Sequence, residues 1–551
     1  MTRTRTPAHA GVDRWLTGLS PIEAARAIAR PSREIDSALA QLDVDRARLV
    51  IDVYESRAAT RPNRKAHGIY YTPPWVVEAM LDRVPLDGLL LDPAAGAGAF
   101  VVALSRRLGL EELQRIHACD LDQEALDVCA LALEAAWGAG ALELIAGWRT
   151  NNAHAGDYLH ARPTAARPNL VIGNPPYGVS AAAELGELPS EGERDLSLRF
   201  LLRALTDIAP GGQVALLVPD TWLTNHRAKT LRRTLLERTG LARVVDFGKP
   251  FQTAKDTRVH AVVLQQSASE CRVESLRDGV VVPMASARKN ELASHVRRGW
   301  FLYRTTEEAR ACAALERHAS PLGEKFGVLY GLRTGNNPRF VQSGTGAVPL
   351  IGGLDFDAFD RHVAPRHLAQ PETFARLVAA QRGRWKVGIQ RIRTNSRLPW
   401  RRWLEGALLS PGEVGLDSLT LIAHDASGEA LSDELCALLG VVNSSILNRW
   451  YRLAFTDVNV KPVYVRELPV PALSPELARL VRRRLGRPGD RALERAIDRL
   501  VAEAYQLGES GIGVFERGFW TEELERRPLP TLDAALALAR EGDDALGVAS
   551  G

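Results

Sequence analysis

Leu170-Val171-Ile172-Gly173-Asn174-Pro175-Pro176-Tyr177 is an apolar run that stops at an amide, two prolines and an aromatic ring. The run predicts a buried strand, and the four residues after it a rigid loop at the strand's carboxyl end. Proline carries no N–H and a fixed φ, so two in a row hold the backbone open and leave carbonyl oxygens facing outward. The Asn174 side-chain oxygen and the Pro175 carbonyl make a pair of acceptors for one exocyclic amine, and Tyr177 offers a face on which a planar base can stack. Drawing such an amine toward tetrahedral geometry frees its lone pair, so a poor nucleophile becomes competent without a strong base. Asn-Pro is also a common turn dipeptide, and the neighbouring sequence decides between the two readings.

Upstream, Leu89-Leu90-Leu91-Asp92-Pro93-Ala94-Ala95-Gly96-Ala97-Gly98-Ala99-Phe100 reads as a strand, a small-residue turn and the start of a helix running to Leu108. Small residues let backbone come close to a ligand at such a turn. A second strand, Ile116 to Asp120, ends in a carboxylate about 20 residues further on, the spacing at which an acid meets ribose hydroxyls. A third ends at Ala155-Gly156-Asp157-Tyr158. These strand ends, in this order, predict an α/β, Rossmann-like parallel sheet whose carboxyl edge binds a nucleoside cofactor. Gly211 to Pro219, Val244 to Phe247 and His260 to Leu264 read as further strands, with Phe251 between the last two.

The chain resembles the adenine-specific DNA methyltransferases of the TaqI type, which use S-adenosylmethionine as methyl donor. The resemblance runs from about His67 to Pro471 and includes His67-Gly68-Ile69-Tyr70-Tyr71-Thr72-Pro73-Pro74 ahead of the glycine-rich turn. It implies that Thr72 contacts the methionine part of the cofactor, and that Asp92, Ala94 and Gly96 line the turn. Asp120, with Leu121 beside it, would hold the ribose; Asp157 and Tyr158 would take the cofactor's adenine, and Asn174 would border the same site. It also implies a flipped target adenine clamped between Tyr177 and Phe251, with Asn174, Pro175, Pro176 and Tyr177 as the catalytic loop. Each carboxylate equally suits a helix cap, Thr72 a cap for a helix near Pro73, and Phe251 a plain core position.

The second half carries a basic stretch: Arg382, Arg384, Lys386, Arg391, Arg393, Arg397, Arg401 and Arg402, with no acid among them and with Trp385, Trp400 and Trp403 interleaved. Such a stretch suits phosphate and guanine contacts, or else a solvated face over core tryptophans. With Arg333 in the loop Tyr330 to Asn337 it marks an expected DNA-binding surface. By the same resemblance, 301–472 would be a separate target recognition domain behind a catalytic domain at 61–270 and a linker at 271–300. Residues 1–60 and 473–551 read as helical ends.

Composition narrows the reading. With 551 residues the chain exceeds one typical core. Net charge is +4, from 70 basic and 66 acidic residues, so affinity for double-stranded DNA must come from local patches. The five cysteines, at 119, 129, 271, 312 and 436, form no metal-ligand or disulfide pattern, which points to a reducing cytoplasm and no metal. No run approaches the ~20 apolar residues of a membrane span. The expectation is a monomer that methylates DNA without cutting it, any restriction endonuclease being a separate chain. Glutamine methyltransferases of release factors share the Asn-Pro-Pro-Tyr loop but are much shorter. RNA as substrate, cytosine as target base, and a DNA-binding subunit that needs a partner for turnover stay open on the sequence.

Overall fold

The computed structural model describes residues 16, 18–30, 32, 35–36, 39, 45–58, 72–178, 195–223, 228–251, 258–265, 268–277, 280–294, 300, 305–362, 364–391, 402–424, 430–455, 459–517 and 529–540. Two units divide the chain, residues 1–303 and 304–551. The first is built on a nine-stranded sheet: β1 (Leu90–Asp92), β2 (Ile116–Asp120), β3 (Ala153–Ala155), β4 (Leu170–Gly173), β5 (Gln213–Pro219), β6 (Gly240–Asp246), β7 (Val259–Gln265), β8 (Glu270–Arg277) and β9 (Val280–Arg288). Their order is β3-β2-β1-β4-β5-β7-β6-β8-β9. The first five run parallel, and β7 is inserted antiparallel between β5 and β6.

The parallel strands are short apolar runs because helices cover both of their faces. Successive side chains point to opposite sides. Leu90, Leu170 and Ile172 therefore enter one core, and Leu91 and Val171 the other. The first core is closed by α1 (Pro21–Ala29), α2 (Arg46–Ala58), α3 (Pro74–Leu81), α4 (Ala99–Leu108), α5 (Gln123–Trp137) and α6 (Leu142–Asn151). On the other side lie α7 (Leu196–Asp207) and α8 (Lys229–Arg238), with Trp222 packed edge-on against Trp300 at 5.6 Å.

Two domain boundaries need correction. Residues 271–300, expected as a linker, carry β8 and β9: β8 pairs in parallel with β6 and extends the nine-stranded sheet. The amino-terminal helices are not a separate region either, because Ala24, Ile28, Val50 and Tyr54 are buried in the same core as Val101 and Leu126.

The second unit holds a four-stranded antiparallel sheet, β10 (Gly327–Tyr330), β11 (Lys386–Gln390), β12 (Gly406–Leu409) and β13 (Leu419–Ala423), in the order β10-β13-β11-β12. Around it lie α9 (Thr306–Arg317), α10 (Asp433–Asn443), α11 (Ser445–Ala454), α12 (Pro475–Leu485) and α13 (Arg491–Ala504). Ser474 caps α12 and Pro475 opens it, as its sequence predicts. The carboxyl-terminal helices belong to this unit rather than standing apart: the Tyr505 hydroxyl donates to the Pro469 carbonyl at 2.7 Å.

Candidate active site

Strand order reverses between β1 and β4, and the crevice beyond the carboxyl ends of two such strands is where open α/β sheets bind ligands. β1 delivers Asp92 and the glycine turn to that crevice, and β4 delivers Asn174-Pro175-Pro176-Tyr177. The two are locked together through Gly173, where a Cβ would lie 2.4 Å from Asp92 Oδ1. The strand that presents the Asn174–Tyr177 loop can thus carry only glycine beside this carboxylate.

The turn after β1 is held by protein oxygens. The amide of Ala94 donates to Asp92 Oδ1 (3.1 Å), that of Ala95 to the Cys119 carbonyl (2.9 Å), and that of Gly96 to Asp120 Oδ2 (2.8 Å). Gly96 and Gly98 both take positive φ, 52° and 95°. Asp120 Oδ1 accepts from the Asp122 amide, so both of its oxygens shape the site. Asp92 is buried, and burial pushes its carboxyl up to about 8, opposed by the Ala94 amide and reinforced by the charge of Asp120. Leu121, next to Asp120, is 74% exposed, a large apolar side chain left bare at a strand end.

Asn174 is oriented from both ends. Its Nδ2 donates to Thr72 Oγ1 at 2.9 Å, and its Oδ1 accepts from the Tyr177 hydroxyl at 2.7 Å. Thr72 does not cap the helix that follows. Pro73 is the cap residue of α3, with Pro74 in the first turn, and the threonine hydroxyl serves the asparagine instead. Tyr177 and Phe251 are both buried and face one another, with centroids 6.0 Å apart and planes at 59°. A base stacked between two rings needs them parallel and about 7 Å apart, twice the ~3.5 Å carbon contact distance. The pair is therefore assembled, but its rings must separate before a base fits between them.

Phe251 follows β6, whose last residue is braced. Arg258 Nε bonds Asp246 Oδ1 at 2.9 Å and its Nη2 bonds Oδ2, while the Gly248 amide donates to the same carboxylate. Burial works against the charge on Asp246, but these bonds hold its carboxyl below the usual range. Buried His260 beside it is pushed down to about 3, chiefly by burial.

Asp157 turns its Oδ1 to the Leu159 amide, 2.9 Å, as a local cap. Tyr158 is buried, its ring packed against Phe200 on the α7 side. The segment His67 to Tyr71 lies outside the described residues.

In the second unit, two expected DNA contacts are internal struts. Lys386 is buried on β11, and its ammonium donates to the carbonyls of Gln381 (2.7 Å), Arg384 (2.9 Å) and Ser410 (3.2 Å). Burial pulls its pKa down to about 8. Arg402 is also buried, bonding the Asn443 carbonyl and Glu494 Oε2 at 2.9 and 2.7 Å. Glu494 also takes Arg484 and Arg491, and Arg484 forks onto Asp360 with two 2.7 Å bonds. Arg333 and Arg382 are exposed, Arg384 is half-buried, and Arg391 lies 5.9 Å over the exposed Tyr330 ring while donating to the Asp417 carbonyl. Arg393, Arg397, Arg401 and Trp400 fall outside the described residues.

The sequence reading missed the Tyr54 hydroxyl on Asp122 Oδ2, which ties α2 to the turn after β2, and the Asp246–Arg258 brace. The last had an available signal, since β6, like β1 and β2, ends in an acid.

A parallel sheet with one antiparallel insertion, a glycine turn at its switch point and an acid at the end of the next strand define an S-adenosylmethionine-dependent methyltransferase fold. In comparison with known proteins, residues 47–293 match the family model described as N-6 DNA Methylase. The chain is 26% identical over 313 residues to the type II methyltransferase M.TthHB8I of Thermus thermophilus, covering 51% of this chain and 64% of that protein. It is 28% identical over 222 residues to the type II methyltransferase M.PaeR7I of Pseudomonas aeruginosa, covering 34% and 38%. It thus spans less than two thirds of either curated relative. Among solved structures, the type IIL restriction-modification enzyme MmeI in complex with DNA matches with a TM-score of 0.55 at 12% identity, covering 93% of this chain and 84% of that one. At that identity the likeness is one of fold. Among the described residues no helix is long and apolar enough to cross a membrane.

Proposed function

We propose that the protein methylates the 6-amino group of adenine within a short duplex DNA site, in the manner of the TaqI-type enzymes. The observation that carries the reading is Asn174, fixed between Thr72 and Tyr177 at the switch point of the sheet.

The residues of the crevice fit the cofactor. Asp120 presents carboxylate at the end of β2, exposed Leu121 presents an apolar face beside it, and Gly96 leaves the turn open to close approach. When bound, S-adenosylmethionine supplies an electrophilic methyl. The chain's part is positioning. A carbonyl oxygen has two lone pairs, so Asn174 Oδ1, which accepts from the Tyr177 hydroxyl, has the capacity to accept from a substrate amine as well. Pro175 adds its carbonyl as second acceptor. Two such bonds strengthen as the nitrogen pyramidalises, so they favour the transition state over the ground state. Tyr177 and Phe251, once parted, hold the flipped ring and offset the few kcal/mol spent on unstacking it. Arg333 and Arg382, exposed on the second unit, contact DNA, and that unit selects the site.

The test is to express the chain in a methylation-free host and map modified bases on plasmid by single-molecule sequencing. Methyladenine in one short motif supports the reading; an unmodified plasmid alongside soluble protein that binds the cofactor overturns it. Any companion endonuclease would be a separate chain, and magnesium-dependent cutting of plasmid by the pure protein would overturn that part.

A further inference from the structure

Three strands of the second unit bring their ends to one edge of its sheet. β10 and β11 both run antiparallel to β13, which lies between them, so the carboxyl ends of the outer two meet the start of the third. Tyr330 ends β10, Arg391 follows β11, and Asp417 and Ser418 precede β13. Arg391 is clamped there through its backbone: its amide donates to the Ser418 carbonyl at 2.8 Å, and its carbonyl accepts from the Val460 amide at 2.9 Å. Its side chain is fixed as well. Nε donates to the Asp417 carbonyl at 2.6 Å, and the guanidinium lies 5.9 Å over the ring of Tyr330, which is 59% exposed.

What Arg391 keeps for a ligand is the fork of its two Nη groups. Other arginines of this unit end on carboxylates: Arg361 on Glu413, Arg366 on Asp355, Arg402 and Arg484 on Glu494. Among the described residues no carboxylate pairs with Arg391, and no acceptor takes its Nη1 or Nη2. A half-buried guanidinium held at its backbone, its Nε and its flat face presents its N–H bonds in one set plane. A phosphate accepts a cation from many directions and does not call for such a plane. A base edge does, and in the major groove guanine alone offers two acceptors, O6 and N7, to one fork.

We infer that Arg391 is a specificity-determining residue whose Nη groups take O6 and N7 of one guanine in the recognised site, with Tyr330 as the platform that sets its plane. The inference rests on the proposed reading, methylation within a short duplex site selected by the second unit, and deepens it by naming a base and its reader. Exposed Arg333, in the loop after β10, lies on the same edge and supplies charge toward the backbone.

The test maps the motif methylated by the full wild-type chain on plasmid, then measures binding to duplexes in which each guanine of that motif is replaced in turn by 7-deazaguanine, which lacks the N7 acceptor. One replacement weakens wild-type binding by about ten-fold, and Arg391→Ala is indifferent to that replacement while still responding to changes elsewhere in the motif. The plasmid methylated by Arg391→Ala shows the same position relaxed to other bases. The wild-type arm needs no variant, so it decides even if Arg391→Ala folds poorly. A motif without guanine, or 7-deazaguanine tolerated at every position, overturns the assignment while the methyltransferase reading stands. So does Arg391→Ala weakening all duplexes alike and lowering the salt slope by about 1, the mark of a phosphate contact. A wild-type chain that methylates no DNA overturns both.

Discussion

The two units treat charge in opposite ways. In the first, acids and the Asn174 amide sit where strands end, at the rim of a crevice; in the second, the longest basic stretch turns two of its cations inward. Asp92 and Asp120 end the strands that place them and Asn174 follows directly on its own, so one short segment specifies strand, turn and contact together. Lys386 and Arg402 take their direction from partners elsewhere: Ser410 lies 24 residues beyond Lys386, and Glu494 lies 92 beyond Arg402. A cation's identity is written locally, but the direction in which it points is not.

The sharpest way to break this contrast is to remove one strand-end residue and one strut. Asn174→Ala should lower single-turnover methylation by about 10²–10³-fold or more, because it deletes an acceptor that acts mainly in the transition state. Calorimetry on the same variant should show S-adenosylmethionine still binding and the fold intact. Near-full turnover would remove the loop from the mechanism. Arg402→Ala should instead cost about 3 kcal/mol of stability, the low end for breaking a buried ion pair, since Arg484 and Arg491 still hold Glu494. A melting temperature equal to wild type with weaker DNA binding would return Arg402 to the DNA surface.

How far the sequence could be read follows the same line. The sheet and its switch point were legible from three strand ends and one loop, because each of these motifs is its own evidence. The β8–β9 extension was mistaken for a linker although its alternation was present: Cys271, Val273 and Ser275 are buried, and Arg272 between them is exposed. Alternation marks a strand but does not say which sheet it joins, and only the pairing with β6 settles that. The tie from Tyr54 on α2 to Asp122 was invisible because a helix does not announce what it docks against. The direction of the Tyr158 ring was equally illegible: its place after Asp157 is local, but the core against Phe200 into which it turns is not.

Lys386→Met probes the strut further, at a smaller scale. It leaves three carbonyls without their shared donor and should cost about 1–3 kcal/mol in urea unfolding, with DNA affinity otherwise intact. Arg333→Ala and Arg382→Ala should do the reverse. Each should weaken DNA binding several-fold and reduce the salt slope of log K by about 1, while stability stays within about 0.5 kcal/mol. If the exposed arginines changed stability and the buried cations changed salt dependence, the inside-outside assignment would be inverted.

The last contrast concerns pH, and it separates the two units by sign. Glu494, fully buried, has arginines on it, and despite the cost of burial they lower its carboxyl to about 2 from the ordinary 4.5. It therefore adds stability that is complete above about pH 4.5 and lost as pH falls through 2. Asp92 moves the other way, up to about 8 from 3.8. Between those values the folded chain keeps a proton that the unfolded chain gives up, so stability falls as pH rises and the full cost is felt above 8. Asp92→Asn, which keeps the shape and drops the charge, should gain on wild type in urea midpoint from pH 5 to pH 9, and the gain should shrink when S-adenosylmethionine is present. The groups that bear on Asp92 among the described residues are the Ala94 amide and Asp120, neither a cation. A buried acid supplied with arginines is an internal support, whereas one left without a cation has its counter-charge still to come, and the pH slope with and without cofactor measures whether that charge arrives.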